Sequence, residues 1–206
     1  MTTDELQLRR VVVSVSGLLY WGGVLIQARR VRKQIGQSPN LKPRGPKEKA
    51  LWLGWFLVIV VWVGQPFLVG AEASQPLSLL RALLQPAGLL LGLILVVLGY
   101  VCTLWCYAAM GNTWRIGINA KEKTTLVSRG PYRHVRHPIY LFQIVMLAGA
   151  VLLLPTLASI AILVLHCVCV LIKAADEEDY LTTVHGEAYR DYRNRTGRLF
   201  PRLTRK

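Results

Sequence analysis

Residues 139 to 172, IYLFQIVMLAGAVLLLPTLASIAILVLHCVCVLI, form a run of thirty-four residues without a formal charge. One helix crosses a bilayer with about 20 apolar residues, so this run is far too long for a single span. Pro155 falls near its middle, with sixteen residues before it and seventeen after. Proline lacks the N–H that a helix interior requires. The run therefore reads as a tight helical hairpin turning at Leu154-Pro155-Thr156. A hairpin returns the chain to its point of entry, so the residues before Ile139 and those after Ile172 become neighbours. The fold class follows: an all-α integral membrane protein whose last two spans form the hairpin.

Three further apolar runs precede it. Val11 to Ala28 carries no charge and is bracketed by Arg9-Arg10 and Arg29-Arg30. Gln27-Ala28-Arg29 is a poor cleavage site, so this run reads as a retained anchor. The linker from Arg29 to Lys49 holds Pro39, Pro43, Gly45 and Pro46 and reads as an exposed connection that does not continue the helix. Leu51 to Gly70 is the second span, with Trp52 and Trp55 near its start at the interface. After a loop from Ala71 to Ala82 comes the third, Leu83 to Met110, where Gly88, Gly92 and Gly99 allow close helix packing. Beyond the hairpin, a cytoplasmic helix is expected from about Val170 to Arg193. Residues 1–82 thus hold two spans and a basic linker, and residues 83–206 a core of three spans, a motif loop and the C-terminal helix.

Charge supports five spans. Of the 25 Lys and Arg residues, 22 fall in the first loop, the loop after Met110 and the C-terminal tail, and three on the other side. The positive-inside rule places the rich side in the cytoplasm, with the N-terminus outside and the C-terminus within. The composition agrees: 53% hydrophobic residues with a net charge of +14 fit charges confined to loops. Basic residues that punctuate spanning runs argue against nucleic acid as a partner and for membrane lipids. Cys102, Cys106, Cys167 and Cys169 all sit in apolar segments and read as core residues, so neither a disulfide nor a metal site is expected. No Walker loop, nucleophile elbow or Gly-x-Gly-x-x-Gly pattern is present.

Two polar stretches meet at the cytoplasmic edge. Ser128 to Tyr140, SRGPYRHVRHPIY, packs arginines, histidines, prolines and tyrosines against the entry to the hairpin, and Lys173 with Glu177 and Glu178 stands at its exit. Lys173 and Glu177 share a helix face. On residue types alone, Asp176 to Asp179 also reads as a solvated helix end, and Arg136 as a contact to lipid phosphate.

Their order and spacing resemble a family. Leu126-Val127-x-x-Gly130-Pro131-Tyr132-Arg133-x-x-Arg136-His137-Pro138-x-Tyr140 is similar to a motif of the isoprenylcysteine carboxyl methyltransferases and the related phospholipid N-methyltransferases. Glu177-Glu178-x-x-Leu181, Gly186-x-x-Tyr189-x-x-Tyr192, Arg195-Thr196-Gly197 and Pro201 resemble the second motif, and Gly111-Asn112-x-Trp114-Arg115-x-Gly117 a segment that bacterial members carry upstream. The resemblance covers about Leu90 to Pro201. It implies a multi-pass membrane methyltransferase using S-adenosylmethionine, held by Thr125, Leu126, Val127, Tyr132, His137, Pro138, Ile139, Tyr140, Glu177 and Glu178. Lys173 and Arg136 would serve the reaction. Carboxyl-methylating members place an arginine where this chain has Lys173, which lacks the bidentate fork, and His185 replaces the usual aromatic residue before Gly186.

The acceptor implied is lipophilic and enters from the bilayer, first of all a carboxylate such as a prenylcysteine-like group. A phospholipid amine or a small thiol is the alternative, and would need a base such as His134, His137 or Glu178. A membrane reductase of the sterol-reductase kind, using NADPH, is a further one. The setting implied is a prokaryotic plasma membrane, or the endoplasmic reticulum in a eukaryote. Oligomeric state is left open.

Overall fold

A computed structural model describes residues 2–36, 39, 43, 45–70, 75–115 and 125–202. Among them the chain is helical, and the only β pairing is two isolated bridges. Four helices have the length and composition to cross a membrane: α1 (Thr3–Ile35), α2 (Pro46–Leu68), α3 (Pro86–Met110) and α5 (Leu157–His185). α4 (Pro138–Leu153) is apolar but has only sixteen residues, and the short α6 (Glu187–Arg195) follows α5. Large side chains such as Leu90, Val97 and Phe67 stand exposed on these helices, the outward surface of a multi-pass membrane protein.

Proline and capping residues set most of the boundaries. Pro46, Pro86 and Pro138 each occupy a first turn, where the missing N–H costs nothing. α4 and α5 are separated by Leu154–Thr156 alone, the turn expected from Pro155. Thr156 then caps α5 through a capping box with Ser159. Residues 75–80 lie over this turn, joined by Leu80 N–H to Pro155 O at 2.8 Å and Ala158 N–H to Pro76 O at 3.1 Å.

Three expectations need correction. α1 does not stop at Ala28 but continues through Arg29-Arg30 to Ile35. No proline or glycine stands between Ala28 and Gly36, and basic residues suit a helix C-terminus. Next, no separate helix starts near Val170. α5 runs unbroken from Leu157 to His185 and α6 follows. The break falls at Gly186, whose φ of 55° lies in the left-handed region that glycine adopts without penalty. Finally, the third run begins at Pro86 rather than Leu83, because Arg81–Leu83 forms a separate 3-10 turn. Gly117 of the upstream motif lies outside the described residues.

α3 packs on α4 at close range, α2 packs on α5, and α1 packs on α2. A methyl group at Gly99 would stand 2.8 Å from Phe142 O, and one at Gly149 2.8 Å from Gly92 O. Glycine therefore lets the α3 and α4 backbones approach, as the sequence suggested for Gly92 and Gly99. At the end of the molecule near the α4–α5 turn, Arg9 is buried. It donates to Leu152 O and Leu153 O, both at 3.1 Å, and to Gln85 O at 3.3 Å, while pairing with Glu5 at 2.8 Å. The polar motifs lie at the opposite end.

Candidate functional site

Ser128 to Tyr140 folds as an extended entry, a 3-10 turn over Gly130–Arg133, and the first turn of α4. Pro131 and Tyr132 are buried under the turn, and Tyr192 on α6 donates its hydroxyl to Tyr132 O at 2.7 Å. The segment after α6 then lies alongside residues 134–137. Arg136 N–H reaches Gly197 O at 2.8 Å, His137 N–H reaches Arg198 O at 3.1 Å, and Gly197 N–H reaches His134 O at 3.4 Å. Only glycine fits position 197: a methyl group there would sit 1.6 Å from Phe200 O. The two motifs that the sequence showed far apart are therefore one unit.

The unit walls a cavity of about 520 Å³. Thr125, Leu126, Val127 and Tyr132 line it from the loop. Arg136, His137, Ile139 and Tyr140 line it at the start of α4, and Lys173 and Glu177 line it from α5. Pro138 and Glu178 are not among the lining residues. Neighbours on a helix point about 100° apart, and Glu178 turns inward, 2% exposed.

Glu177 is held from two sides. Tyr140 donates its hydroxyl to Oε1 at 2.8 Å, and His137 Nδ1 lies 3.4 Å from Oε2. The His137 and Tyr140 rings stack with centroids 5.7 Å apart and 16° between planes. On the far side of the imidazole, Nε2 stands 3.4 Å from Glu178 Oε1. Burial lowers the readiness of His137 to take a proton, but the two carboxylates outweigh it and leave the pKa raised above its ordinary 6.5. Burial likewise pushes the Tyr132 hydroxyl well above its usual range, so it stays protonated.

Arg136 is largely committed to structure. Its Nε donates to Glu178 Oε1 at 2.9 Å, and Nη1 donates to Arg193 O at 3.1 Å and to Thr196 O. Lys173 is different: it is 6% exposed, lines the cavity, and forms no hydrogen bond or ion pair among the described residues. Its ammonium group is therefore open to an anion that enters the cavity.

Sequence reasoning missed the wall that α1 and α2 supply. Tyr20, Trp21 and Leu25 from α1, and Leu51, Trp52, Trp55 and Phe56 from α2, line the same space. So do Gln143 on α4 and Tyr107 on α3. Gln143 donates to the Tyr20 hydroxyl, and Tyr107 meets Trp114 edge-on at 5.6 Å. Gln143, a polar residue inside an apolar run, was the available signal. Among the described residues no group of three or more His, Cys, Asp or Glu side chains is placed to hold a metal ion, and the four cysteines are unpaired.

Comparison with known proteins places this arrangement. The family model described as phospholipid methyltransferase matches residues 87–188. The chain is 30% identical over 116 residues to the nickel-cobalt-cadmium resistance protein NccN of Alcaligenes xylosoxydans xylosoxydans, covering 56% of this chain and 51% of that protein. It is 30% identical over 119 residues to the cobalt-zinc-cadmium resistance protein CzcN of Cupriavidus metallidurans, covering 58% and 51%. The chain thus spans about half the length of these relatives. Across residues 87–188, from the start of α3 to the start of α6, the chain belongs to the phospholipid methyltransferase family, within the isoprenylcysteine carboxyl methyltransferase-like group of membrane methyltransferases.

Proposed function

We propose that this chain is an S-adenosylmethionine-dependent methyltransferase acting on a lipophilic, anionic acceptor at the cytoplasmic face of a membrane. The acceptor class that fits first is a carboxylate such as a prenylcysteine-like group. The observation carrying the proposal is the shared cavity: ten of the twelve motif residues named from the sequence line it. Its volume of about 520 Å³ suits a small organic cofactor beside part of a substrate.

The donor set fits the cofactor's chemistry. Trp21 Nε1 and Tyr189 OH are buried polar atoms on lining residues with no hydrogen-bond partner among the described residues, so the wall still has hydrogen-bonding capacity to satisfy. Glu177 suits an ammonium or ribose hydroxyls, the Tyr132 and Tyr140 rings suit a cation, and His137 suits a carboxylate. When bound, S-adenosylmethionine supplies an electrophilic methyl group. The protein's part is to align the acceptor and keep water out, which the aromatic wall of Trp21, Trp52 and Phe56 serves. Lys173 would hold the acceptor's anion. A phospholipid amine is the second reading, favoured by the matched family's description and opposed by the Lys173 ammonium facing the same space.

Five spans, with the α4–α5 hairpin completing the bundle and the motif end in the cytoplasm, belong to the same proposal, as does a prokaryotic plasma membrane. Titration of the detergent-purified protein with S-adenosylhomocysteine and with NADPH tests the cofactor. The expected result is binding of the former, lost in Glu177→Ala; NADPH binding without it would overturn the reading. Methyl-labelled lipid product then separates the acceptors. A methyl ester releases volatile label as methanol in alkali, whereas a methylated amine keeps it.

A further inference from the structure

Arg198 does not line the cavity, yet it holds the histidine that does. We propose that Arg198 is a positioning residue that fixes His137 from two directions, through its own backbone carbonyl and through the carboxylate of Glu178.

The first hold is direct, since Arg198 O accepts the His137 N–H at 3.1 Å. The second runs through the side chains. Arg198 Nε donates to Glu178 Oε1 at 3.1 Å and Nη2 to Oε2 at 2.7 Å, a two-point grip that a planar guanidinium makes and an ammonium cannot. Glu178 is thereby pinned beside the His137 ring, with Oε1 3.4 Å from Nε2. Arg136 already pairs with this carboxylate at 2.9 Å, so neutralising Glu178 does not require a second guanidinium. What Arg198 adds is orientation. It also competes for the carboxylate oxygens, and His137 Nε2 is left without a formed hydrogen bond among the described residues. The segment that delivers Arg198 is held by backbone bonds to residues 134–137, and Gly197 lets it turn against Phe200. Position and charge at His137 are therefore set from a residue outside the pocket.

The charged and titratable groups facing His137 are Glu177 and Glu178 from α5, the adjoining Arg136, Tyr140 from α4, and Arg198 from the C-terminal segment. Removing the Arg198 charge leaves Glu178 less neutralised, so its negative field on the imidazole grows and the proton is held more tightly.

The consequence for cofactor binding rests on the methyltransferase reading; the consequence for His137 does not. The experiment follows the His137 ring by NMR in detergent micelles with ring-labelled histidine, its signal identified by loss in His137→Gln, and measures S-adenosylhomocysteine affinity calorimetrically. Arg198→Gln is expected to move the His137 midpoint upward and to weaken affinity about tenfold, as loss of a supporting partner behind a ligand contact does. Arg198→Lys restores the charge without the grip, so the midpoint returns to the wild-type value while affinity stays weak. If Arg198→Gln does not fold, Glu178→Gln carries the test by lowering the midpoint. An unchanged midpoint in Arg198→Gln and Glu178→Gln would overturn the proposal, as would full affinity in Arg198→Lys. A wild-type protein that binds no S-adenosylhomocysteine overturns the methyltransferase reading instead, and the midpoints still decide this one.

Discussion

His137 lies between two carboxylates, and its raised pKa makes its contribution to stability depend on pH in a definite direction. The folded state binds the proton more tightly than the unfolded chain, so protonation favours folding. That contribution is complete below the unfolded value of about 6.5 and disappears as pH rises through the higher folded value. Thermal unfolding of wild type and His137→Gln across pH 5 to 9 should therefore show the largest difference at the acid end. Groups common to both proteins cancel in the comparison. A difference that grows with pH would mean that His137 is neutral in the fold. The two glutamates show what residue types alone can and cannot reveal. On residue types they read as part of a solvated helix end, and the family resemblance implied both as cofactor contacts. One residue of helix rotation separates them: Glu177 faces the cavity, while Glu178 faces Arg136 and Arg198.

The contact between α3 and α4 depends on glycine in a way that a paired experiment can isolate. Gly149 leaves no room for a methyl group, with Gly92 O at 2.8 Å and both Val96 N and Val96 Cγ2 at 3.0 Å. Gly149→Leu should destabilise by at least about 2 kcal/mol, the range for overpacking a filled core. Gly23 on α1 has nothing within 4 Å of an added methyl, so Gly23→Ala should be neutral or stabilising by about 0.5 kcal/mol. Melting temperatures in detergent check both, and equal losses would show that generic helix perturbation dominates. The α4–α5 boundary was readable at Pro155, which falls in the turn between the two helices. Boundaries were misread where composition merely changes. Arg29, Arg30, Arg32 and Lys33 are charged but are good helix formers, so α1 continues through them. Gly186 was noticed as part of a motif, yet its role as the break between α5 and α6 needs a φ angle that sequence does not supply. The contribution of α1 and α2 to the cavity was equally hidden, because an apolar stripe facing a pocket resembles one facing lipid.

Seen as one body, the molecule separates its charges from end to end. At the motif end stand Lys173, unpaired among the described residues, and the ion cluster of Arg136, Arg198 and the buried Glu178. At the opposite end, two of the three basic residues counted there are consumed by backbone. Arg9 satisfies carbonyls at the C-terminus of α4, and Arg10 donates to Pro66 O and Phe67 O at the C-terminus of α2. These arginines act as helix caps, which suits cations at the negative end of a helix dipole. The division of the 25 Lys and Arg residues, 22 against three, favours the proposed orientation with the motif end in the cytoplasm. α4 is the shortest member of the proposed five-span bundle: its sixteen residues reach about 24 Å against a hydrocarbon core of about 30 Å. Residues 75–80 lie over its C-terminal turn and bond to Pro155 and Ala158, which spares that turn from reaching water by itself. Single exposed cysteines at the two ends test the arrangement, with an impermeant thiol reagent applied to intact cells and then to lysed ones. Ala82→Cys, near the α4–α5 turn, should react in intact cells. Phe200→Cys, at the motif end, should react only after lysis. The reverse pattern would invert the protein and place the cavity on the side without cytoplasmic cofactor. Reaction of both in intact cells would mean that α4 does not cross, and would leave four spans.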